Sequence, residues 1–146
     1  MRAIVQRVCN ASLKVDGKLI SNINHGLLVF LGVNNEDTEK DALYLAEKLP
    51  KLRIFRDEND LMNLSVLDVK GEILLVSNFT LYAETRGTNR PSFSKAGRRE
   101  LALPLYELVA KKLNEKVNTQ LGRFGEHMDI QAHLDGPVTI VIDSEK

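Results

Sequence analysis

His25-Gly26-Leu27-Leu28-Val29-Phe30-Leu31-Gly32-Val33 is the stretch on which the fold turns. Its apolar run is short, unbroken by polar residues and bracketed by glycine. Such a run reads as a strand buried on both faces. Upstream, Ala3, Val5, Arg7 and Cys9 alternate with Ile4, Gln6 and Val8, which is strand periodicity. Ser12 to Val15 continues extended, Asp16-Gly17 supplies a tight turn, and Leu19-Ile20 returns as a hairpin partner.

Downstream, Asn34 to Asp37 is a polar loop. Asp37 or Thr38 caps a helix through about Leu49, with Ala42, Leu45, Ala46 and Leu49 on one stripe, and Pro50 ends it. Leu52 to Phe55 reads as a short strand, Asp57 to Asp60 as a turn, and Glu72 to Leu81 as a long strand. A polar, Arg-rich loop from Glu84 to about Ser94 precedes a second helix to about Lys116, striped by Leu101, Leu105, Leu108, Val109 and Leu113. Pro104 inside it predicts a kink or a fresh helical start. Asn118 to Gly125 reads as a loop or short turn. Met128 to Leu134 and Val138 to Ile142 read as two strands separated by Asp135-Gly136-Pro137. Strands dominate without regular βαβ alternation. The expectation is an α+β fold: a single domain over residues 1–146, with a mixed, barrel-like β-sheet covered by two main helices.

Composition narrows the function classes. Twenty Lys and Arg balance twenty Asp and Glu, so the formal net charge is zero. Neutrality argues against indiscriminate capture of nucleic acid and against a polybasic membrane anchor, and it is compatible with self-association. No apolar run approaches the roughly 20 residues of a membrane span, and Met1 to Arg7 contains no signal-peptide core. Cys9 is the single cysteine, which excludes an intrachain disulfide and a Cys-based zinc site. His25, His127 and His133 have no metal-ligand spacing, and no Gly-rich nucleotide fingerprint is present. The chain is expected to be cytoplasmic, without membrane association, metal or cofactor.

Three segments carry candidate chemistry. Ser77-Asn78-Phe79-Thr80 brings hydroxyls, an amide and backbone N–H groups to a strand end, where it either presents them to a ligand or simply frays into a turn. Asp135-Gly136-Pro137-Val138-Thr139 is either a simple trans turn or a cis Gly-Pro pair whose neighbouring carbonyls point one way. Arg86, Arg90, Lys95, Arg98 and Arg99 form a local basic excess, which suits either phosphate contacts or an ordinary solvated loop.

Taken in order, these segments resemble the D-aminoacyl-tRNA deacylase family. The resemblance runs nearly end to end, through Met1–Val8, Gly26–Gly32, Leu52–Phe55, Ser77–Leu81, Arg90–Lys95, Asn118–Gly125 and Asp135–Thr139. The family signature Ser-Gln-x-x-Thr stands here as Ser77-Asn78-Phe79-Thr80, and Asn-x-Gly-Pro-x-Thr as Leu134-Asp135-Gly136-Pro137-Val138-Thr139. Asn78 keeps the amide on a shorter side chain, whereas Leu134 has no amide.

The resemblance implies a homodimer with active sites at the subunit interface and aminoacyl-tRNA as partner. It implies a Gly136–cis-Pro137 pair that crosses into the other subunit's site and grips the substrate α-amino group. An L side chain is then rejected sterically, and glycine mischarged on tRNA-Ala passes. Ser77, Asn78, Phe79 and Thr80 form the implied catalytic segment, with backbone N–H groups around Phe79 and Thr80 as oxyanion donors. Arg7 braces the Gly-Pro motif, Thr139 matches its last position, and Phe79 and Met128 line the pocket. Thr80 is either a nucleophile or a positioning group for attack assisted by the ribose 2′-hydroxyl. Two other classes compete: a non-catalytic tRNA-binding module using Arg86 to Arg99, and a small-ester hydrolase with His127 as base.

Overall fold

The computed structural model describes residues 1–145. Strand β1 (Arg2–Val15) is the spine of the molecule. Along one edge it pairs antiparallel with β3 (Gly26–Gly32) and then β2 (Lys18–Ile23). The turn into β2 places Asp16 at φ 50° and Gly17 at φ 76°, the left-handed pair that a two-residue hairpin needs. Along its other edge β1 pairs with β8 (Asp129–Asp143) over nearly its whole length. Strand β6 (Glu72–Ser77) joins β3 in parallel, and β7 (Thr119–Leu121) joins β6 in parallel. Across the remaining gap the Asn22 N–H donates to Gln120 Oε1 at 2.8 Å and the Ser21 hydroxyl donates to the Leu121 carbonyl, so the mixed sheet is a nearly closed barrel.

The apolar run 27–31 is buried on both faces, as expected. Leu27, Val29 and Leu31 join a core beneath the helices, while Leu28 packs on the opposite face with Val8, Leu13, Ile23, Leu74 and Val76. Helix α1 (Glu39–Lys48) starts where predicted: the Thr38 N–H donates to Asp41 Oδ2 at 2.8 Å, and Pro50 lies in the 3-10 turn that closes it. Helix α2 (Arg99–Asn114) buries Ala102, Leu105, Tyr106, Val109, Ala110 and Leu113. The expectation of a single α+β domain with a barrel-like sheet and two main helices holds.

Several boundaries differ from expectation. Glu72–Leu81 is not one strand: β6 ends at Ser77 and Phe79–Tyr82 forms a 3-10 turn, because the Asn78 carboxamide accepts from the Thr80 N–H. Residues 119–121 are a strand rather than loop, pinned by pairing to β6. The predicted strand over 52–55 shrinks to β4 (Phe55–Arg56), a hairpin partner of β5 (Met62–Leu64). Pro104 lies inside α2 without starting a new helix. The two predicted C-terminal strands are one. Gln6 pairs Thr139 and Val8 pairs Leu134, so the segment Asp135 to Val138 bulges out opposite the single residue Arg7.

Candidate active site

The Ser77–Thr80 segment is built by the parallel ladder that precedes it. The Asn78 N–H donates to the Leu31 carbonyl at 2.8 Å, extending the β3–β6 pairing by one step. Asn78 then turns its side chain back on its own backbone. Its Oδ1 accepts from the Thr80 N–H at 3.2 Å and from the Thr80 hydroxyl. Both donors of Thr80 are therefore taken. The Phe79 N–H makes no hydrogen bond among the described residues.

The segment forms one wall of a cavity of about 580 Å³. Phe30, Val76 and Ile130 contribute apolar lining, continuous with the core that Leu28 and Leu74 belong to. Phe124 to Met128 and Arg99 also line it. Phe79 is exposed and meets Phe93 edge-on, ring centroids 5.0 Å apart. Phe124 packs against Tyr106 at 5.8 Å, and the Tyr106 hydroxyl donates to the Leu75 carbonyl at 2.8 Å. Burial pushes the Tyr106 hydroxyl well above its ordinary pKa, so it stays a neutral donor and ties this wall to β6.

Of the residues singled out from sequence, Ser77, Asn78, Phe79, Thr80, Met128 and Arg99 line this cavity. His127 lines it too, yet makes no hydrogen bond to Thr80 or Ser77 among the described residues, so it is not placed as their base. Phe30, Phe124 and Ile130 were not foreseen. Phe30 and Ile130 are separated by some hundred positions of chain, and only the barrel brings them together. Phe124, flanked by Gly122 and Gly125, carries the one local signal, an aromatic side chain inside a glycine-rich segment.

Arg7, Gly136, Pro137 and Thr139 form a second group that does not line this cavity. The Gly136–Pro137 peptide bond is cis, and both residues are exposed. Arg7 is only 2% exposed. Its guanidinium donates to the carbonyls of Asp135 at 3.1 Å and Ile54 at 2.7 Å, and lies 3.1 Å from the Asp135 carboxylate. The Thr139 hydroxyl donates to Gln6 Oε1 at 2.8 Å.

The basic stretch disperses in space. Arg86, Arg90, Lys95 and Arg98 are exposed outside the cavity, and Lys95 pairs with Glu84 at 3.2 Å. The Arg86 N–H and the Lys95 ammonium hold the Glu84 carboxyl below the usual carboxylate range. Among the described residues no three His, Cys, Asp or Glu side chains gather as a metal site, and no helix is long and apolar enough to cross a membrane.

The family model for D-Tyr-tRNA(Tyr) deacylase matches residues 4–143. A D-aminoacyl-tRNA deacylase of Bacillus pumilus (strain SAFR-032) is 52% identical over 147 residues, covering 100% of both chains. One of Clostridioides difficile (strain 630) is 51% identical over 147 residues, covering 100% of this chain and 99% of its own. A solved structure named c-Myc DNA unwinding element binding protein superposes with a TM-score of 0.92 at 38% identity and covers 98% of each chain. With a full-length match in sequence, and with the Ser77–Thr80 turn and the Gly136-Pro137 bulge both in place, this chain belongs to the D-Tyr-tRNA(Tyr) deacylase family.

Proposed function

We propose that the protein is a homodimeric D-aminoacyl-tRNA deacylase, hydrolysing the ester between a D-amino acid and the terminal adenosine of tRNA. The observation that carries the reading is the Ser77–Thr80 turn, which lines a cavity together with Phe124 to Met128. The substrate class comes from the curated deacylases that share about half of its residues.

In this reading the protein positions the ester and the ribose 2′-hydroxyl assists attack. The Thr80 hydroxyl directs its proton to Asn78 Oδ1, and a carboxamide is too weak a base to activate a nucleophile. The unpartnered Phe79 N–H is the donor available to the developing oxyanion. Ser77 and Thr80 present lone pairs to the bound ester and ribose, and Met128 and Phe79 flank the substrate. Fixing these groups before reaction removes much of the entropic barrier.

Gly136 and Pro137 act on the site of a second subunit. Two features support this: the pair is exposed and lies off its own cavity, and β8 leaves one edge unpaired among the described residues, with Leu134 and Val141 exposed along it. Their backbone carbonyls accept from the substrate α-amino group. A D side chain then points to open space, and an L side chain meets the motif's backbone. Glycine offers nothing to reject, so glycyl-tRNA-Ala is also a substrate. Such a proofreader works alongside translation, in the cytoplasm.

The test is hydrolysis of D-tyrosyl-tRNA, L-tyrosyl-tRNA and glycyl-tRNA-Ala by purified protein, with its mass measured by light scattering. Release from the D-tyrosyl and glycyl substrates alone, by a particle of twice the 16.4 kDa chain mass, is expected. Equal rates on both tyrosyl forms would sink the chiral mechanism. A second reading, nucleic-acid binding without chemistry, draws on the exposed Arg86, Arg90, Lys95, Arg98 and Arg99 and on the DNA-binding name of the 38% identical neighbour. It predicts salt-dependent binding and no release from any substrate.

A further inference from the structure

Arg99 is the one residue of the basic stretch that lines the cavity. Its guanidinium makes no ion pair and no hydrogen bond among the described residues, even though Glu100 follows it in sequence and Glu126 lines the same cavity. Two consecutive residues nonetheless lie against it, Phe124 and Gly125. Its Cζ lies 5.2 Å from the centroid of the Phe124 ring, and Phe124 is itself packed on the buried Tyr106. Next to it is the backbone of Gly125, at φ 77°. A Cβ there would lie 3.1 Å from Arg99 Nη1, so any other residue would crowd the guanidinium. An aromatic ring and a bare backbone lie against the guanidinium, and its N–H groups are left without a protein acceptor among the described residues. A planar, unpartnered fork of this kind suits bidentate capture of a phosphate.

The size of the cavity says which phosphate. At about 580 Å³ it falls within the roughly 300–1,000 Å³ of small-ligand sites and suits an aminoacylated nucleoside rather than a longer oligonucleotide. We propose that Arg99 holds the phosphodiester on the 5′ side of the terminal adenosine, locking the acceptor end at the cavity mouth. This inference rests on the deacylase reading and deepens it. Arg99 is a positioning residue, remote from the ester itself. The other basic residues contribute only diffuse attraction.

The test uses two non-hydrolysable ligands, D-tyrosine joined by an amide to the 3′-amino group of adenosine, with and without a 5′-phosphate. Binding is measured by calorimetry to the intact protein and to Arg99→Gln, which keeps a helix-compatible side chain. Wild type should bind the phosphorylated ligand about tenfold or more tightly, the worth of a charge-assisted hydrogen-bonded contact. Arg99→Gln should bind both ligands alike, with the affinity wild type has for the unphosphorylated one. Arg99→Lys should recover part of the preference, because it restores the charge without the fork. In parallel, Arg99→Gln should raise KM for D-tyrosyl-tRNA with little change in kcat, and lower the slope of log affinity against log salt by about one. The proposal is overturned if wild type shows no preference, if Arg99→Gln keeps it, or if neither ligand binds. Hydrolysis of D-tyrosyl-tRNA reports on the deacylase reading separately, and its absence would overturn both.

Discussion

The guanidinium of Arg7 in β1 donates to the backbone carbonyl of Asp135, 3.1 Å away, at the point where β8 bulges out of register. It also satisfies the Ile54 carbonyl at 2.7 Å. Arg7→Ala removes the donor from both acceptors in a site where Arg7 itself is 2% exposed. The expected cost is about 2–4 kcal/mol, read as a lower urea midpoint at unchanged slope. Arg7→Lys should fall between, since one ammonium does not reproduce the fork. An unchanged midpoint in Arg7→Ala would show that the bulge holds itself.

Gly136 leaves no room for a side chain. A Cβ at this position would collide with the Val138 backbone nitrogen, which no rotamer change relieves. Because Gly136 is exposed, Gly136→Ala should shift the bulge while leaving the fold near wild-type stability. Deacylation of D-tyrosyl-tRNA should drop on the order of 10²-fold, the penalty of misplacing a substrate-positioning group. Near-normal turnover would remove Gly136 from the site.

Thr80 and Asn78 separate two mechanisms. With its proton committed to Asn78 Oδ1, Thr80 is a positioning group, so Thr80→Ala should cost about tenfold in kcat/KM. A true covalent nucleophile would cost on the order of 10⁴-fold or more. A substrate ending in 2′-deoxyadenosine should turn over far more slowly than its ribose counterpart in wild type. Asn78→Ala frees both Thr80 donors and uncaps the 3-10 turn, and should therefore lose more activity than Thr80→Ala.

Acid stability has a specific source at Asp143. Partial burial pushes its carboxyl up, but the Glu145 N–H, the Arg2 guanidinium and the Met1 ammonium together bring it below the usual carboxylate value. Arg2 Nη2 lies 3.0 Å from its Oδ2. A pKa lower in the folded than in the unfolded state stabilises above the unfolded value, and the benefit is lost as pH falls through the folded one. Wild type should therefore exceed Asp143→Asn in unfolding free energy at pH 7, and the gap should close below about pH 4. A gap that persisted at pH 2 would assign the effect to hydrogen bonding rather than ionisation.

Much of this architecture is legible in local sequence, because periodicity and turn chemistry act over a few residues. The alternation of Ala3 and Val5 with Ile4 and Gln6, the Asp16-Gly17 turn and the Thr38 cap each appear where a short-range reading puts them. The failures also share a cause. Thr119–Leu121 is a strand only because β6 offers it an edge, and Asp135 to Val138 is a bulge rather than a break only because β1 continues beneath it. Strand pairing is a long-range interaction, and neither partner announces it.

The site divides the same way. Sequence by itself determined the α+β class and the family resemblance, and it singled out the Ser77–Thr80 and Gly136-Pro137 segments as candidates for chemistry. Only the tertiary structure decided that Asn78 occupies both donors of Thr80, that Phe30 and Ile130 line one cavity with that turn, and that Arg99 alone of the basic stretch reaches the cavity. A motif is a local pattern of residue types, whereas a donor's availability or a cation's reach depends on what barrel closure brings beside it.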